Sequence, residues 1–198
     1  SSDVCSSDLA DPLKLSPERM FELGKYKKLH YETSRNESSE PDQIYLVSDV
    51  DHFADELHRI KPKCSDEGIC LIVSNPCFEM WLYYAYHEVT PEFSLPDDPM
   101  KISGKFKGWL PSVIPGGIKP SKAILRIYSN IENAKKNYWE DTDGIPMLFS
   151  TNMYELAEKL LPAIEPELTM MIEENKRREA EYRKKRKMSS QLGGTEKN

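Results

Sequence analysis

The stretch from Ile44 to Phe53, IYLVSDVDHF, runs from apolar and β-branched residues straight into two aspartates, Asp49 and Asp51, with one residue between them. Ile44 to Ser48 has the length and composition of a buried strand, and helical spacing resumes at Phe53, so the acidic pair falls at the strand's carboxyl end. Folding alone gives little reason for that placement, because each carboxylate raises the cost of ionising the other. Side chains alternate along a strand, so Asp49 and Asp51 are expected to point the same way and to bring oxygens to one place. A hard divalent cation, Mg2+ or Mn2+, offsets the repulsion and takes oxygen ligands. Held there, it would polarise a phosphodiester and activate water. A solvated pair capping the next helix is the plainer reading of the same residues.

Working outward, Phe53 to Ile60 reads as a helix, Pro62 and Gly68 punctuate the return, and ICLIVS, Ile69 to Ser74, reads as a second buried strand. Strand, helix and strand in so short an interval predict a right-handed βαβ crossover with parallel strands, hence an α/β fold. In such sheets ligands gather at the carboxyl ends of the strands. The second of these ends carries SNPCFE, Ser74 to Glu79, opening a helix with Ser74 or Asn75 as cap, Pro76 in the first turn and an aromatic body from Phe78 to Tyr86. Glu79 lies in an otherwise apolar helical stretch. It is expected either to bond backbone N–H groups or to face the aspartates as a third carboxylate or supporting acid. Asn75 could orient a phosphate or water, and also suffices as a cap.

Elsewhere, SPERMFELGKYKKLH predicts a helix with Ser16 as cap, Pro17 first, and Met20, Phe21, Leu23 and Leu29 as a partial apolar face. YETSRNESSEPDQ reads as a surface loop. Thr90 to Pro120, rich in Pro and Gly, reads as a long, partly irregular insertion. Of its lysines Lys101, Lys105, Lys107 and Lys119, Lys105 and Lys119 are the candidates for a phosphate backbone, against the plainer reading of a solvated loop. Helical spacing returns through Ala123, Ile127, Ile131 and Ala134, and again at Asn152, where Glu155 three residues on suggests a capping arrangement. Alternation turns His52 away from the aspartates; His87 fits a helix C-terminus, and Tyr83, Tyr84 and Tyr86 fit a core stripe better than a base-stacking surface.

The chain's 198 residues, 38% hydrophobic and 30% charged, fit one α/β domain over 10–165 followed by a charged basic helix and polar tail over 166–198. A net charge of -6 argues against bulk attraction to nucleic acid but allows a local basic patch, for which Lys176 to Lys187 is the best stretch. Without an apolar run of roughly 18 residues no membrane-spanning helix is expected, and the cytoplasm is the default compartment. Cys5, Cys64, Cys70 and Cys77 lack paired CxxC spacing and read as reduced thiols. Residues 1–9, SSDVCSSDL, repeat SSD and lack an initiator Met. They resemble a translated sequencing-adapter fragment, and are set aside on the expectation that the natural N-terminus has been cut away.

SNPCFEMWL, with VSDVDHF upstream, the IPGG turn and STNMYEL downstream, resembles the RloB-like family, found beside restriction and phage-defence genes and similar to the Toprim fold. The resemblance covers about Ser16 to Leu161. It implies a Toprim-like parallel sheet flanked by helices and a Mg2+- or Mn2+-dependent nuclease acting on DNA or RNA in anti-phage defence by abortive infection. It also implies a co-encoded ATPase as partner, with oligomers possible. Toprim-type sites imply a metal-binding DxD, matching Asp49 and Asp51, and a glutamate on an earlier strand. Asn75, Pro76, Phe78, Glu79, Trp81, Thr151 and Asn152 carry over as they stand. Two departures count: Ala85 replaces a histidine common in the family, and the first strand with its glutamate is missing, as a truncated gene would leave it. Glu18 and Glu22 lie on a helix and are not promoted to that role, so the site in this chain would be half built. Two other readings remain: a haloacid-dehalogenase-type phosphatase, which wants a Thr where Phe53 stands soon after the pair, and a non-catalytic component binding nucleic acid or the ATPase through the basic tail.

Overall fold

A computed structural model of the chain describes residues 15–33, 43–114, 116–117 and 119–192. The chain divides into two units, Ser1–Ala157 and Glu158–Asn198. The predicted loop 31–43 falls largely outside the described residues, as do 1–9 and Cys5.

In the first unit, helix α1 spans Pro17–Thr33. The Ser16 carbonyl accepts the Met20 N–H at 2.9 Å, and Pro17 fills the first position, where a missing N–H is no loss. Phe21 is buried, but Leu29, expected on the apolar face, is exposed. Gly24 lets the helix lie close to the sheet: a Cβ there would stand 3.4 Å from the Leu46 side chain. Strand β1, Tyr45–Asp49, pairs in parallel with β2, Cys70–Ser74, in a register that sets Asp49 opposite Ser74. Between them runs α2, Ala54–Asp66. The predicted βαβ unit is therefore present, with one correction. Pro62 lies inside α2 rather than ending it, because Leu57, Ile60 and Cys64 keep a buried stripe running past it while the ring faces solvent. Phe21, Leu46, Leu57, Ile60, Ile69, Leu71, Val73 and Ile145 form the core on this side of the sheet.

Helix α3, Glu79–Tyr84, starts later than Ser74 or Asn75. Those two residues commit their backbone elsewhere: Asn75 donates its N–H to Ser150 O at 2.9 Å and accepts the Phe149 N–H at 2.8 Å, and Ser74 bridges Thr151. The insertion is irregular over Thr90–Asp98 and then, against expectation, helical as α4, Ile102–Val113. Ser103, Phe106 and Leu110 supply its buried stripe, and Gly104 and Gly108 lie on its open side. Phe106 joins Tyr83, Phe93, Trp109 and Phe149 in an aromatic cluster with centroids about 6 Å apart. Tyr83 and Tyr84 are core residues, as expected, and the Tyr84 hydroxyl donates to Phe149 O at 2.7 Å. His87 stacks on Tyr83 at 4.4 Å, with Nε2 3.2 Å from the Val113 carbonyl. The next helical stretch is broken into α5, Pro120–Ala123, a single 3-10 turn and α6, Ile127–Lys136.

Asn152 was expected to cap a helix. Its side chain instead closes the free edge of β2: Oδ1 accepts the Val73 N–H at 2.6 Å and the amide nitrogen donates to Leu71 O at 3.0 Å. Its own N–H donates to Val73 O at 3.2 Å, and Thr151 Oγ1 takes the capping role toward the Met153 N–H. Helix α7, Met153–Leu192, then runs unbroken through Pro162 and Pro166. Within the second unit, Glu174 pairs with Arg177 and Arg178 at 2.6 Å each, and Glu179 with Arg183 at 4.0 Å, so these three arginines of the basic stretch are charge-compensated along their own helix. Among the described residues, no helix is long and apolar enough to cross a membrane.

Replacing Asn152 by Ala strands two buried backbone groups, each costing about 1–3 kcal/mol. A loss of about 3 kcal/mol in unfolding free energy is expected, read from the urea midpoint of the whole chain.

Candidate functional site

The two strand ends are zipped together by their loops. Val50 donates its N–H to Ser74 O at 2.9 Å, and Asp51 donates to Pro76 O at 3.1 Å. β1 stops at Asp49, and Asp51 sits in a turn with φ of 23°, a left-handed conformation that Asp tolerates better than most residues. Strand alternation therefore does not orient the pair; the turn does. Leu46 and Ser48 face the α1–α2 core, so Asp49 points to the opposite side of the sheet, where α3 and α4 lie.

There the Phe78 N–H at the start of α3 is near enough to favour the ionised Asp49 carboxylate. Burial pushes its carboxyl up to about 6, with Glu79 and Asp51 raising it further and Lys107 and the Phe78 N–H pulling it down. Glu79, the first residue of α3, has Oε2 3.7 Å from Lys107 Nζ. Partial desolvation disfavours the Lys107 ammonium, but the anionic groups around it, Glu79, Asp49 and Asp51 among them, hold it above the usual lysine range. Ser103, one turn before Lys107 on α4, lies beside the buried Cys77. Burial, with the neighbouring Glu79 next, drives the Cys77 thiol up to about 12, so it stays protonated and is no nucleophile.

The fold thus gathers Asp49, Asp51 and Glu79 into one electrostatic neighbourhood around Lys107. They do not each bring an oxygen within 4.8 Å of the others; among the described residues the one such group is His58, Asp141 and Asp143. An all-oxygen set nonetheless fits Mg2+ or Mn2+ in kind, since Mg2+ is commonly held by one or two carboxylates and fills its remaining positions with water and substrate phosphate.

The other sequence candidates fall elsewhere. The Asn75 amide nitrogen donates to Pro146 O at 2.8 Å, so this side chain pins the 146–150 loop to the end of β2. Lys105 is about 200° around α4 from Lys107 and exposed. Lys119 is exposed just before α5. His52 does approach the pair, with Nε2 3.6 Å from Asp51 Oδ1. Glu18 is engaged by Arg59 at 2.8 Å. Lys107 had been grouped with the loop lysines. The signal for it was the spacing Ser103, Phe106, Lys107, Leu110, a helical face obscured by Gly104 and Gly108.

A carboxyl whose folded pKa lies above its unfolded value binds an extra proton when folded, so stability is lost as pH rises from about 4 to about 6. Asp49→Asn removes that loss. Its stability advantage over wild type is expected to grow from near zero at pH 4 to about 2 kcal/mol at pH 7, measured by denaturant titration across pH in metal-free buffer.

No curated protein and no solved structure matches the chain. A family model described as RloB-like protein matches residues 7–160, beginning inside the 1–9 stretch and taking in both strands, the loops that join their ends, α3, α4 and the Thr151–Asn152 edge. With well over half its length matched, the chain belongs to the RloB-like family.

Proposed function

We propose that this protein is the Mg2+- or Mn2+-dependent nuclease of a bacterial anti-phage, abortive-infection system, hydrolysing phosphodiesters of DNA or RNA on a Toprim-like sheet in the cytoplasm. By analogy with its family it works beside a co-encoded ATPase. The supporting observation is the placement of Asp49: a desolvated carboxylate at the carboxyl end of β1, near the Phe78 N–H and electrostatically coupled to Asp51, Glu79 and Lys107.

Asp49 and Asp51 would hold the metal, which supplies Lewis-acid activation of the phosphodiester and of water. Burial of Asp49 favours cation binding, because an ionised carboxylate there lacks full solvation and gains more from a positive partner than an exposed one does. Glu79, 3.7 Å from Lys107, keeps that ammonium beside the pair, where it would meet a non-bridging phosphate oxygen. Lys107 replaces Lys105 and Lys119 as the leading phosphate contact, because it alone of the three neighbours the carboxylates.

Calorimetric titration with Mn2+ is expected to give saturable heat with wild type and none with the Asp49→Ala, Asp51→Ala double variant. The same change should abolish Mg2+-dependent cleavage of single- and double-stranded DNA and RNA. Equal heats from both proteins would remove the metal role. Nucleic-acid binding that survives the double variant, with no cleavage by either, would favour a non-catalytic binding component. Lys107→Gln is expected to tighten Mn2+ about tenfold, since an ammonium near a divalent ion opposes it by about 1–2 kcal/mol even at high dielectric, while slowing cleavage.

A further inference from the structure

A second group of ligating side chains lies away from the strand ends. His58 projects from α2, and Asp141 and Asp143 stand on the turn that follows α6. The turn is built to hold its shape: Asp141 Oδ1 accepts the N–H groups of Asp143 at 2.9 Å and Ile145 at 3.0 Å, and Gly144 takes the left-handed φ of 78° that closes it. Ile145 is buried in the same core as Leu57 and Ile60, which fixes the turn beside α2. With Oδ1 so occupied, Asp141 offers Oδ2, 3.5 Å from His58 Nε2, and Asp143 offers Oδ2, 3.2 Å from His58 Nδ1.

Those contacts are too long for charge-assisted hydrogen bonds, which run about 2.7–2.9 Å. His58 Nδ1 is in fact a fully buried nitrogen without a hydrogen bond, although an oxygen stands 3.2 Å away. The two carboxylates approach different ring nitrogens, Asp141 Oδ2 toward Nε2 and Asp143 Oδ2 toward Nδ1, so an ion on one nitrogen would draw both oxygens to it. One atom from each of the three residues falls within 4.8 Å of the other two.

We propose that His58, Asp141 and Asp143 form a metal site distinct from the strand-end carboxylates, selective for a borderline divalent ion of the Zn2+ class. One imidazole with two carboxylates is a poor match for Mg2+ or Ca2+, which prefer oxygen throughout, and a good one for Zn2+. Three protein ligands leave the fourth position to water, on the side of Asp143, whose side chain is 65% exposed. The bound ion cross-links α2 to the turn leading into Pro146, the residue whose carbonyl holds Asn75 at the end of β2. It is thus a staple beneath the loop of the strand-end site and is independent of any cleavage activity.

The test is titration of the whole chain with Zn2+ by calorimetry, together with its thermal midpoint with and without the ion. At least one equivalent should bind wild type, and one should remain in the Asp49→Ala, Asp51→Ala double variant and raise its midpoint. That equivalent and its midpoint rise should be lost in His58→Gln and in Asp143→Asn. Asp143 is a largely exposed turn residue, so its variant carries the test if His58→Gln does not fold. Co2+ serves as the spectroscopic probe of the ligands. Absence of saturable binding, binding unchanged by Asp143→Asn, or a thiolate charge-transfer band placing the ion on Cys64, Cys70 or Cys77 would each overturn the proposal.

Discussion

Strand β2 is buried almost throughout, yet a single strand, β1, pairs with it along its length. Buried backbone donors and acceptors need partners, so the other edge of β2 has to be closed by something. The Asn152 side chain closes it by imitating a peptide, accepting from Val73 and donating to Leu71, while the Ser74 and Thr151 hydroxyls meet at 2.7 Å one residue further along. That contact reaches across nearly eighty residues of sequence. It sets the height at which the 146–152 segment meets the sheet, and through Ser150 and Phe149 it fixes the backbone of Asn75. Everything at the strand ends is measured from there.

From that fixed edge the electrostatics follow. The loop after β2 carries Pro76, whose carbonyl takes the Asp51 N–H, and Phe78, whose N–H meets the Asp49 carboxylate. One loop therefore positions both aspartates and then begins the helix that presents Glu79. Helix α4 covers the group with a stripe that is apolar at Phe106 and Leu110 and polar at Ser103 and Lys107. Aromatic packing of Phe106 against Tyr83, Phe93, Trp109 and Phe149 holds that stripe in place, so the position of one cation depends on an apolar cluster.

The βαβ unit was legible because its cues are local: two short β-branched runs, a helical interval and an acidic strand end. What local cues could not supply was the competition for backbone partners. Ser74 and Asn75 look like helix caps beside Pro76, but their backbone groups are taken by a segment some 75 residues away, and the helix waits until Glu79. Asn152 and Glu155 look like a capping box for the same reason. In α2, Pro62 suggests a stop, yet three buried side chains outweigh a missing hydrogen bond on the solvent side. Two glycines and a proline suggested an irregular run through α4, where the apolar spacing decided otherwise. Strand alternation was expected to orient Asp49 and Asp51 together, but β1 ends at Asp49 and Asp51 lies in a turn.

Charge balance gives the last step. Asp49, Asp51 and Glu79 bring three carboxylates to one rim and Lys107 brings a single ammonium. With all of them ionised the rim carries an excess of two negative charges, and part of that excess falls on the desolvated Asp49, where water cannot spread it. The protein alone relieves the excess by letting Asp49 take up a proton near pH 6, which removes one charge. A divalent cation cancels both charges and leaves every carboxylate ionised. In the proposed function Lys107 would then face the negative charge that a phosphodiester carries into the site. A rim assembled only to cap helices would need neither the buried aspartate nor the lysine one turn beyond Ser103, and this pairing of deficit and counter-charge is what the proposed hydrolytic role rests on.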